Sequence, residues 1–325
     1  MEQIATSYPL KKKQYTMKHK HLAAIALLLP LASVSCQKDT TTSGPRNTTS
    51  GDSPAATQSA FDNDGMSKYS FSVSSFKRVG FSRGNLQYQA STNTWRFAEH
   101  QYDYIGADNT LISSVNSGWI DLFGWGTSGW NSGAVAYQPY SVSNNNADYY
   151  PGGSSLNDLV DNCANADWGI YIPVSNGGNT PGLWHTLNSN EWRYLLGQSG
   201  AENRVGKWGL AVLVDLYKGL VILPDSWSLP DGLSFTPGAT TWDQANKYTD
   251  AQWQQMEAAG AIFLPAAGCR YANGIDLIGE AGIYWSTTHY NESRAYNIYF
   301  SDATLDMVNR NYRSNGLSVR LVKKK

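Results

Sequence analysis

Side chains suited to acid–base, nucleophilic or metal chemistry are few in this sequence and lie far from one another. Only His100, His185 and His289 follow the first 35 residues, and no two of these histidines have a metal-ligand spacing such as H-x-x-x-H. No G-x-S-x-G motif, P-loop or dinucleotide-binding fingerprint is present. Carboxylates such as Glu191 and Glu257 occur singly, so their spacing does not indicate a paired acid and base. We therefore predict no catalytic residues, no metal site and no cofactor.

Aromatic residues concentrate in one glycine-rich stretch, FGWGTSGW at 123–130. A ring beside glycine can pack flat against backbone or another ring, which favours a loop that builds its own small core. The same rings could instead stack against a sugar if they were exposed. This second interpretation makes Trp125 and Trp130 the candidate ligand-binding residues.

The chain contains three cysteines, Cys36, Cys163 and Cys269. An exported protein can form a disulfide, so Cys163 and Cys269 are a candidate pair. Cysteines this far apart are also often two separate buried thiols. The sequence leaves both alternatives open.

The N-terminal segment has the pattern of a signal peptide over residues 1–35. Lys18 and Lys20 precede an apolar run of about ten residues, whereas a membrane-spanning helix needs about 20. The lysine-rich stretch before Met17 indicates that Met17 is an alternative start. Small residues followed by Cys36 resemble the lipobox of bacterial lipoproteins, and the next three residues resemble an outer-surface export signal. This resemblance implies that Cys36 is acylated and that the protein is anchored to the outer membrane, facing the exterior.

Residues 36–66 are predicted to form a flexible tether. They are rich in Thr, Ser, Gly, Asn and Asp and nearly free of large apolar side chains, so they cannot bury a core. A flexible segment of this length reaches about 30 Å. From Cys36 onward the chain carries 20 basic and 25 acidic side chains, a net charge of −5, with no basic cluster before the last three lysines. A nucleic-acid partner is therefore not expected.

Residues 67–325 are predicted to form a single α+β domain that is β-rich, with long loops and short helices. Alternation of apolar and polar residues from Tyr69 indicates strands and hairpins, and GLAVLVDLYKGLVILP predicts a hairpin that turns at 215–219. Two short amphipathic helices are predicted in LNSNEWRYLLG, which ends at Gly197, and in YTDAQWQQMEAAG. The second helix has a capping box formed by Thr249 and Gln252 and ends at Gly260.

Several phrases, in this order, resemble a family of Bacteroidales surface lipoproteins with a C-type-lectin-like domain. They include VGFSRGNLQYQASTNTWRFAEHQYDYIG, GWIDLFGWGTSGW, GLVILPDSWSLP, GEAGIYWSTTHYNESRAYNIYF and NGLSVRLV. The family is similar to the Fibrobacter major paralogous domain and, more distantly, to the formylglycine-generating (sulfatase-modifying) enzymes. The resemblance covers nearly all of the chain after the tether and implies a lectin-like fold.

The functions of these relatives carry over only in part. The calcium-dependent lectin motifs E-P-N, Q-P-D and W-N-D have only partial counterparts at 138–140 and 242–244, so calcium is not supported as a cofactor. Formylglycine-generating enzymes use a cysteine pair in the C-terminal part of the domain, where this chain has Cys269 alone. We therefore expect a non-enzymatic surface lipoprotein that binds a glycan or a surface protein through its loops. The alternatives are a component of a surface complex or filament and a formylglycine-generating-like catalyst.

Overall fold

This computed structural model describes residues 59–131, 137–198 and 200–325. Strands there hold more residues than helices, and the helices are short, so the mixed, β-rich character predicted from the sequence is confirmed. The signal peptide, Cys36 and most of the tether lie outside the described residues. No helix among the described residues has the length and apolar character needed to cross a membrane.

Strands occur along the whole described chain and are mostly short. In order they are β1 (Phe71–Ser72), β2 (Arg78–Phe81), β3 (Leu86–Gln89), β4 (Thr94–Phe97), β5 (His185–Thr186), β6 (Trp208–Leu213), β7 (Tyr217–Ile222), β8 (Asn246–Tyr248), β9 (Ile262–Pro265), β10 (Cys269–Tyr271), β11 (Gly274–Asp276), β12 (Gly282–His289), β13 (Arg294–Ser301), β14 (Thr304–Tyr312) and β15 (Leu321–Lys324). The α-helices are α1 (Trp168–Tyr171), α2 (Ser189–Leu195) and α3 (Asp250–Ala258), and several 3-10 turns lie in the loops.

Three sheets form most of the described framework. Sheet A has the strand order β1-β2-β15-β5, sheet B has the order β8-β6-β7-β9, and sheet C is the meander β12-β13-β14. Neighbouring strands are antiparallel except for β6 and β8, which run parallel. In sheet A the last strand of the chain pairs with β2, one of the first, so the two ends of the described chain meet in one sheet.

Both predicted helices are confirmed, and local capping explains where each begins. The Asn188 side chain accepts from the backbone N–H of Glu191 at the start of α2, and Glu191 returns the bond to the N–H of Asn188. Thr249 and Gln252 form the same reciprocal capping box at the start of α3. Gly260 follows α3 with a φ of 101°, a left-handed conformation that favours glycine at a helix end.

The strand predictions differ from the structure in two places. The predicted hairpin exists as β6 and β7, but it turns at 214–216 rather than 215–219, because Val214 and Asp215 adopt left-handed φ values of 54° and 55°. In NGLSVRLV only the end belongs to β15. Residues 316–318 instead form isolated bridges to three separate segments, a long-range arrangement that strand propensity does not report.

Sheet C separates two apolar clusters. Tyr284, Ile298 and Phe300 belong to the cluster that also packs against α2, which we call cluster 1. Ile283 and Trp285 alternate with them along the sheet and belong to the other, cluster 2, which contains much of the aromatic loop region. Because successive side chains on a strand point to opposite faces, one sheet serves as a wall of both cores.

Candidate functional site

The glycine-rich aromatic stretch is core rather than surface. Trp125 is 1% exposed, and its indole Nε1 donates to the Ser286 carbonyl at 2.8 Å. The guanidinium carbon of Arg313 lies 4.6 Å from the centroid of the same ring. The prediction that Trp125 is a ligand platform is therefore wrong, because its faces are occupied by protein.

Trp130, the other candidate, is half-buried. Its ring packs edge-on against Tyr137 with 6.3 Å between the ring centroids, and it lies against cluster 2. A ligand role for Trp130 stays a prediction.

The two cysteines of the domain are free thiols in this structure. Burial raises the pKa of both thiols. Cys163 receives a hydrogen bond from the Asn157 amide at 3.4 Å, and Cys269 lies in cluster 2. A nucleophilic cysteine needs a lowered pKa, so the surroundings of Cys269 do not favour the formylglycine-generating alternative.

The three histidines have separate partners. The His100 ring stacks on Tyr102, His289 Nδ1 lies 2.6 Å from Asp158, and His185 Nε2 lies 3.3 Å from the Lys77 ammonium. Among the described residues, no group of three or more His, Cys, Asp or Glu side chains is placed to hold a metal ion.

Lys77 forms a partly buried polar cluster with His185 of sheet A and Glu191 of α2. Its ammonium donates to Glu191 at 2.6 Å as well as approaching His185. Burial, reinforced by the charge of Lys77, lowers the pKa of His185 to about 4, so this imidazole is neutral at neutral pH and can accept from the lysine. Since both carboxylate oxygens of Glu191 are engaged, one by Lys77 and one by the α2 cap, the cluster holds two elements together.

A different pocket combines aromatic and polar side chains and has the properties of a ligand site. It has a volume of about 340 Å³. We call it the Trp242 pocket, and its lining residues are Lys218, Trp242, Leu277, Glu280, Ala281, Tyr299, Ser301 and Asp302. A larger loop cleft of about 410 Å³ at 156–163 has no aromatic residue in its lining.

Three structural elements position the Trp242 pocket. Lys218 lies on β7, Tyr299 and Ser301 lie at the end of β13, and Asp302 lies in the turn to β14. The backbone N–H of Trp242 donates to the Asp302 carboxylate at 2.9 Å, which ties the loop before β8 to the β13–β14 turn. The backbone N–H of Ala303 donates to the Thr240 carbonyl at 2.8 Å and holds the same two segments a second time.

The remaining wall of the pocket is the tight turn before β12. Leu277 and Gly279 adopt left-handed φ values of 60° and 69°, and the backbone N–H of Glu280 donates back to the Leu277 carbonyl at 3.0 Å. The N–H of Gly279 donates to the Ala266 carbonyl at 2.8 Å, which fixes the turn to the end of β9. Glu280 is exposed on this turn.

Four polar groups around the Trp242 pocket have no hydrogen-bond partner in the described part of the chain. Among the described residues, no hydrogen bond engages the Lys218 ammonium, the Glu280 carboxylate, or the hydroxyls of Tyr299 and Ser301. The Lys218 Nζ lies 5.5 Å from the ring centroid of Trp242, which is half-buried and packs against cluster 1. An aromatic surface surrounded by free donors and acceptors can bind a ligand with an apolar face and several hydroxyl groups.

The fold and the pocket together define a mixed, β-rich domain with an open aromatic and polar site. Part of the chain is similar to a described family: the model of a domain of unknown function, DUF8237, matches residues 242–322. That segment contains every lining residue of the Trp242 pocket except Lys218. No curated protein and no solved structure matches the chain.

Sequence reasoning missed this pocket. In the sequence, Trp242 belongs to an incomplete calcium-lectin phrase and Tyr299 to a phrase shared with the lipoprotein family, and neither position indicates a ligand residue. The available signal was the alternation in AYNIYFS, which puts Tyr299 and Ser301 on one face of β13. That signal does not reveal that Trp242 and Lys218 line the same pocket, because Lys218 lies in sheet B and Trp242 in the loop before β8.

Proposed function

We propose that this protein is a surface lipoprotein whose lectin-like domain binds a glycan at the Trp242 pocket. The observation that carries the proposal is the partly exposed indole of Trp242 beside hydrogen-bonding groups that have no partner in the described residues. The apolar C–H face of a sugar ring packs against an indole, while its hydroxyls bond to groups such as the Lys218 ammonium and the Glu280 carboxylate.

Two further observations support the proposal. The phrases that resemble the lectin-like lipoprotein family run through this part of the chain, and the lipobox-like Cys36 and tether suit a domain exposed at the cell surface. The loops of the pocket are held by backbone hydrogen bonds, so the pocket is formed before any ligand arrives and little ordering cost opposes binding.

The proposal is tested by comparing how strongly the wild type and Trp242→Ala bind neutral glycans. The chain without its first 36 residues is screened against immobilised neutral glycans, with calcium and with a chelator. We expect Trp242→Ala to weaken binding of the best ligand at least about tenfold, equivalent to about 1.4 kcal/mol. We expect no chelator sensitivity, because the lectin calcium motifs are incomplete.

Trp130→Ala is the comparison variant, since it removes another half-buried indole, which lies away from the pocket and is the second ligand candidate predicted from the sequence. Circular dichroism and melting temperature establish that both variants fold. The proposal is wrong if no neutral glycan binds, or if Trp130→Ala lowers the affinity as much as Trp242→Ala.

A further inference from the structure

A second unusual surface lies on sheet C, at the end of its strands opposite the β13–β14 turn. We call it the Arg-Tyr face, and it consists of Tyr290, Arg294, Tyr296, Arg310 and Tyr312. In the register of the sheet, Tyr296 lies opposite Arg310, and Arg294 lies opposite Tyr312. Opposed residues of antiparallel strands project from the same side, so these four side chains form a two-by-two patch.

Both guanidinium groups are held against tyrosine rings. The guanidinium carbon of Arg310 lies 4.6 Å from the Tyr290 ring centroid and 5.9 Å from that of Tyr296. That of Arg294 lies 4.6 Å from the Tyr312 centroid, and an Arg294 Nη2–H donates to the Tyr312 hydroxyl at 3.2 Å. Stacking restrains the flexible arginine side chains while leaving edge N–H groups available to a partner.

The two arginines of this face form no salt bridge in the described part of the chain. Within the described residues, neither Arg294 nor Arg310 comes within 4 Å of a carboxylate oxygen. By contrast, Arg78 and Arg204 both pair with Asp225. The chain after residue 35 has a net charge of −5, so these two arginines form a positively charged site on a negatively charged protein.

We infer that the Arg-Tyr face binds an anionic polysaccharide, a chain of sugars that carries sulfate or carboxylate groups. Arg294 and Arg310 occupy diagonal positions of the patch, where side chains start about 7–8 Å apart. Two such fixed guanidiniums can each bond an anionic group of one extended chain. Tyr290 and Tyr312 of the same face are 39% and 45% exposed, so their rings can pack against the sugar rings of the bound chain.

The size of the face favours a narrow polymer over a folded protein. A standard protein interface uses about 20–30 residues on each side, whereas this face has five side chains. The β14 edge beside it is polar, with Asp306, Asn309 and Asn311, and its pairing with β13 is irregular, features that oppose the addition of a partner strand. The inference rests on the proposed function only in taking a glycan as the ligand.

Dextran and dextran sulfate provide a matched pair of probes, because they share one neutral backbone. We expect the wild-type chain, without its first 36 residues, to bind dextran sulfate and polygalacturonate at low ionic strength. The double variant Arg294→Gln and Arg310→Gln should lose at least about tenfold in affinity for both. Raising the salt concentration should weaken wild-type binding, because exposed charges are screened.

A double variant of Lys247→Gln and Lys324→Gln removes the same charge from exposed lysines elsewhere and should stay within about twofold of the wild type. Arg310→Lys keeps the charge but loses the planar stacking group. Its affinity for dextran sulfate should therefore lie between that of the wild type and that of the single variant Arg310→Gln. Melting temperatures verify the fold of each variant.

Three outcomes overturn the inference: dextran sulfate fails to bind, its binding is unchanged in the arginine double variant, or polyglutamate binds equally well through the same arginines. The last would make an acidic polypeptide the partner.

Trp242→Ala separates the two proposals. If it leaves neutral glycan binding intact while the arginine variant loses dextran sulfate, the proposed pocket fails and this inference stands. If neutral glycan binding depends on Trp242 and dextran sulfate does not bind, the proposed function stands and this inference fails.

Discussion

At the residue scale, a buried arginine packs against Trp125, a ring that the sequence predicts to bind a ligand. The guanidinium of Arg313 lies between the rings of Trp125 and Tyr150, at 4.6 and 5.0 Å from their centroids, and donates to the Asn291 carbonyl at 2.9 Å. Burial lowers the pKa of Arg313 to about 10. Trp125 thus gives a buried cation an aromatic face, which is a structural use of the ring.

Asp121 is a buried residue whose charge opposes folding. Its carboxylate accepts from the Ile105 backbone N–H at 2.9 Å and the Asn109 amide at 2.8 Å. Desolvation nevertheless dominates and raises the pKa of Asp121 to about 6 from an ordinary value of 3.8. Because the folded-state pKa is the higher one, the folded protein binds this proton more tightly. The resulting stability is present in full below about pH 4 and is lost as the pH rises through 6.

We predict that Asp121→Asn becomes relatively more stable as the pH rises. The free energy of unfolding of the variant minus that of the wild type should increase by about 2–3 kcal/mol between pH 4 and 7, at about 1.4 kcal/mol per unit of pKa shift. Urea denaturation across this range measures the difference. Asp215→Asn, at an exposed turn position, is the control for the effect of the substitution itself. A flat difference for Asp121→Asn would contradict the prediction.

At the element scale, two helices share one capping motif in different surroundings. Glu191 of α2 is 8% exposed and bonds both to the cap and to Lys77, which lies in the loop just before β2. Gln252 of α3 is half-buried, and its hydrogen bond goes only to its own cap. The same local signal therefore starts both helices, but only in α2 does it also attach the helix to the loop that leads into β2.

We predict that Glu191→Ala lowers the free energy of unfolding by about 2–3 kcal/mol, because it leaves the Lys77 ammonium partly buried without its carboxylate. Gln252→Ala, at the same position of the other capping box, should cost about 1 kcal/mol or less. Chemical denaturation of the two variants and the wild type gives both values. Equal costs would indicate that the Lys77 contact contributes nothing beyond the cap.

At the scale of the whole molecule, the C-terminal strand joins the two main cores. Val322 of β15 belongs to cluster 1 and the adjacent Leu321 to cluster 2, and both are fully buried. Because β15 also pairs with β2 and β5, the cores cannot be completed until the last residues of the chain are in place. Folding of this domain therefore depends on contacts between its two ends.

The anchoring proposal also concerns the whole molecule and is tested with the full-length chain. We predict that Cys36→Ala moves the protein from the membrane fraction to the soluble fraction, since buried acyl chains contribute about 0.8 kcal/mol per methylene. Cell fractionation and immunoblotting measure the distribution. Cys163→Ala, which removes a thiol inside the domain, should leave it unchanged. Retention of the Cys36 variant in the membrane fraction would exclude this anchor.

The sequence by itself determined the features that depend on neighbours a few residues away. The capping boxes at Asn188 and Thr249 and the β6–β7 hairpin follow from local hydrogen bonding and alternation, which act within one turn or one strand. Only the tertiary structure decided which rings are exposed. Trp125 became core and Trp242 part of a pocket because loops distant in sequence close over one and leave the other partly open. That difference depends on sheet register and loop placement, which no local pattern encodes.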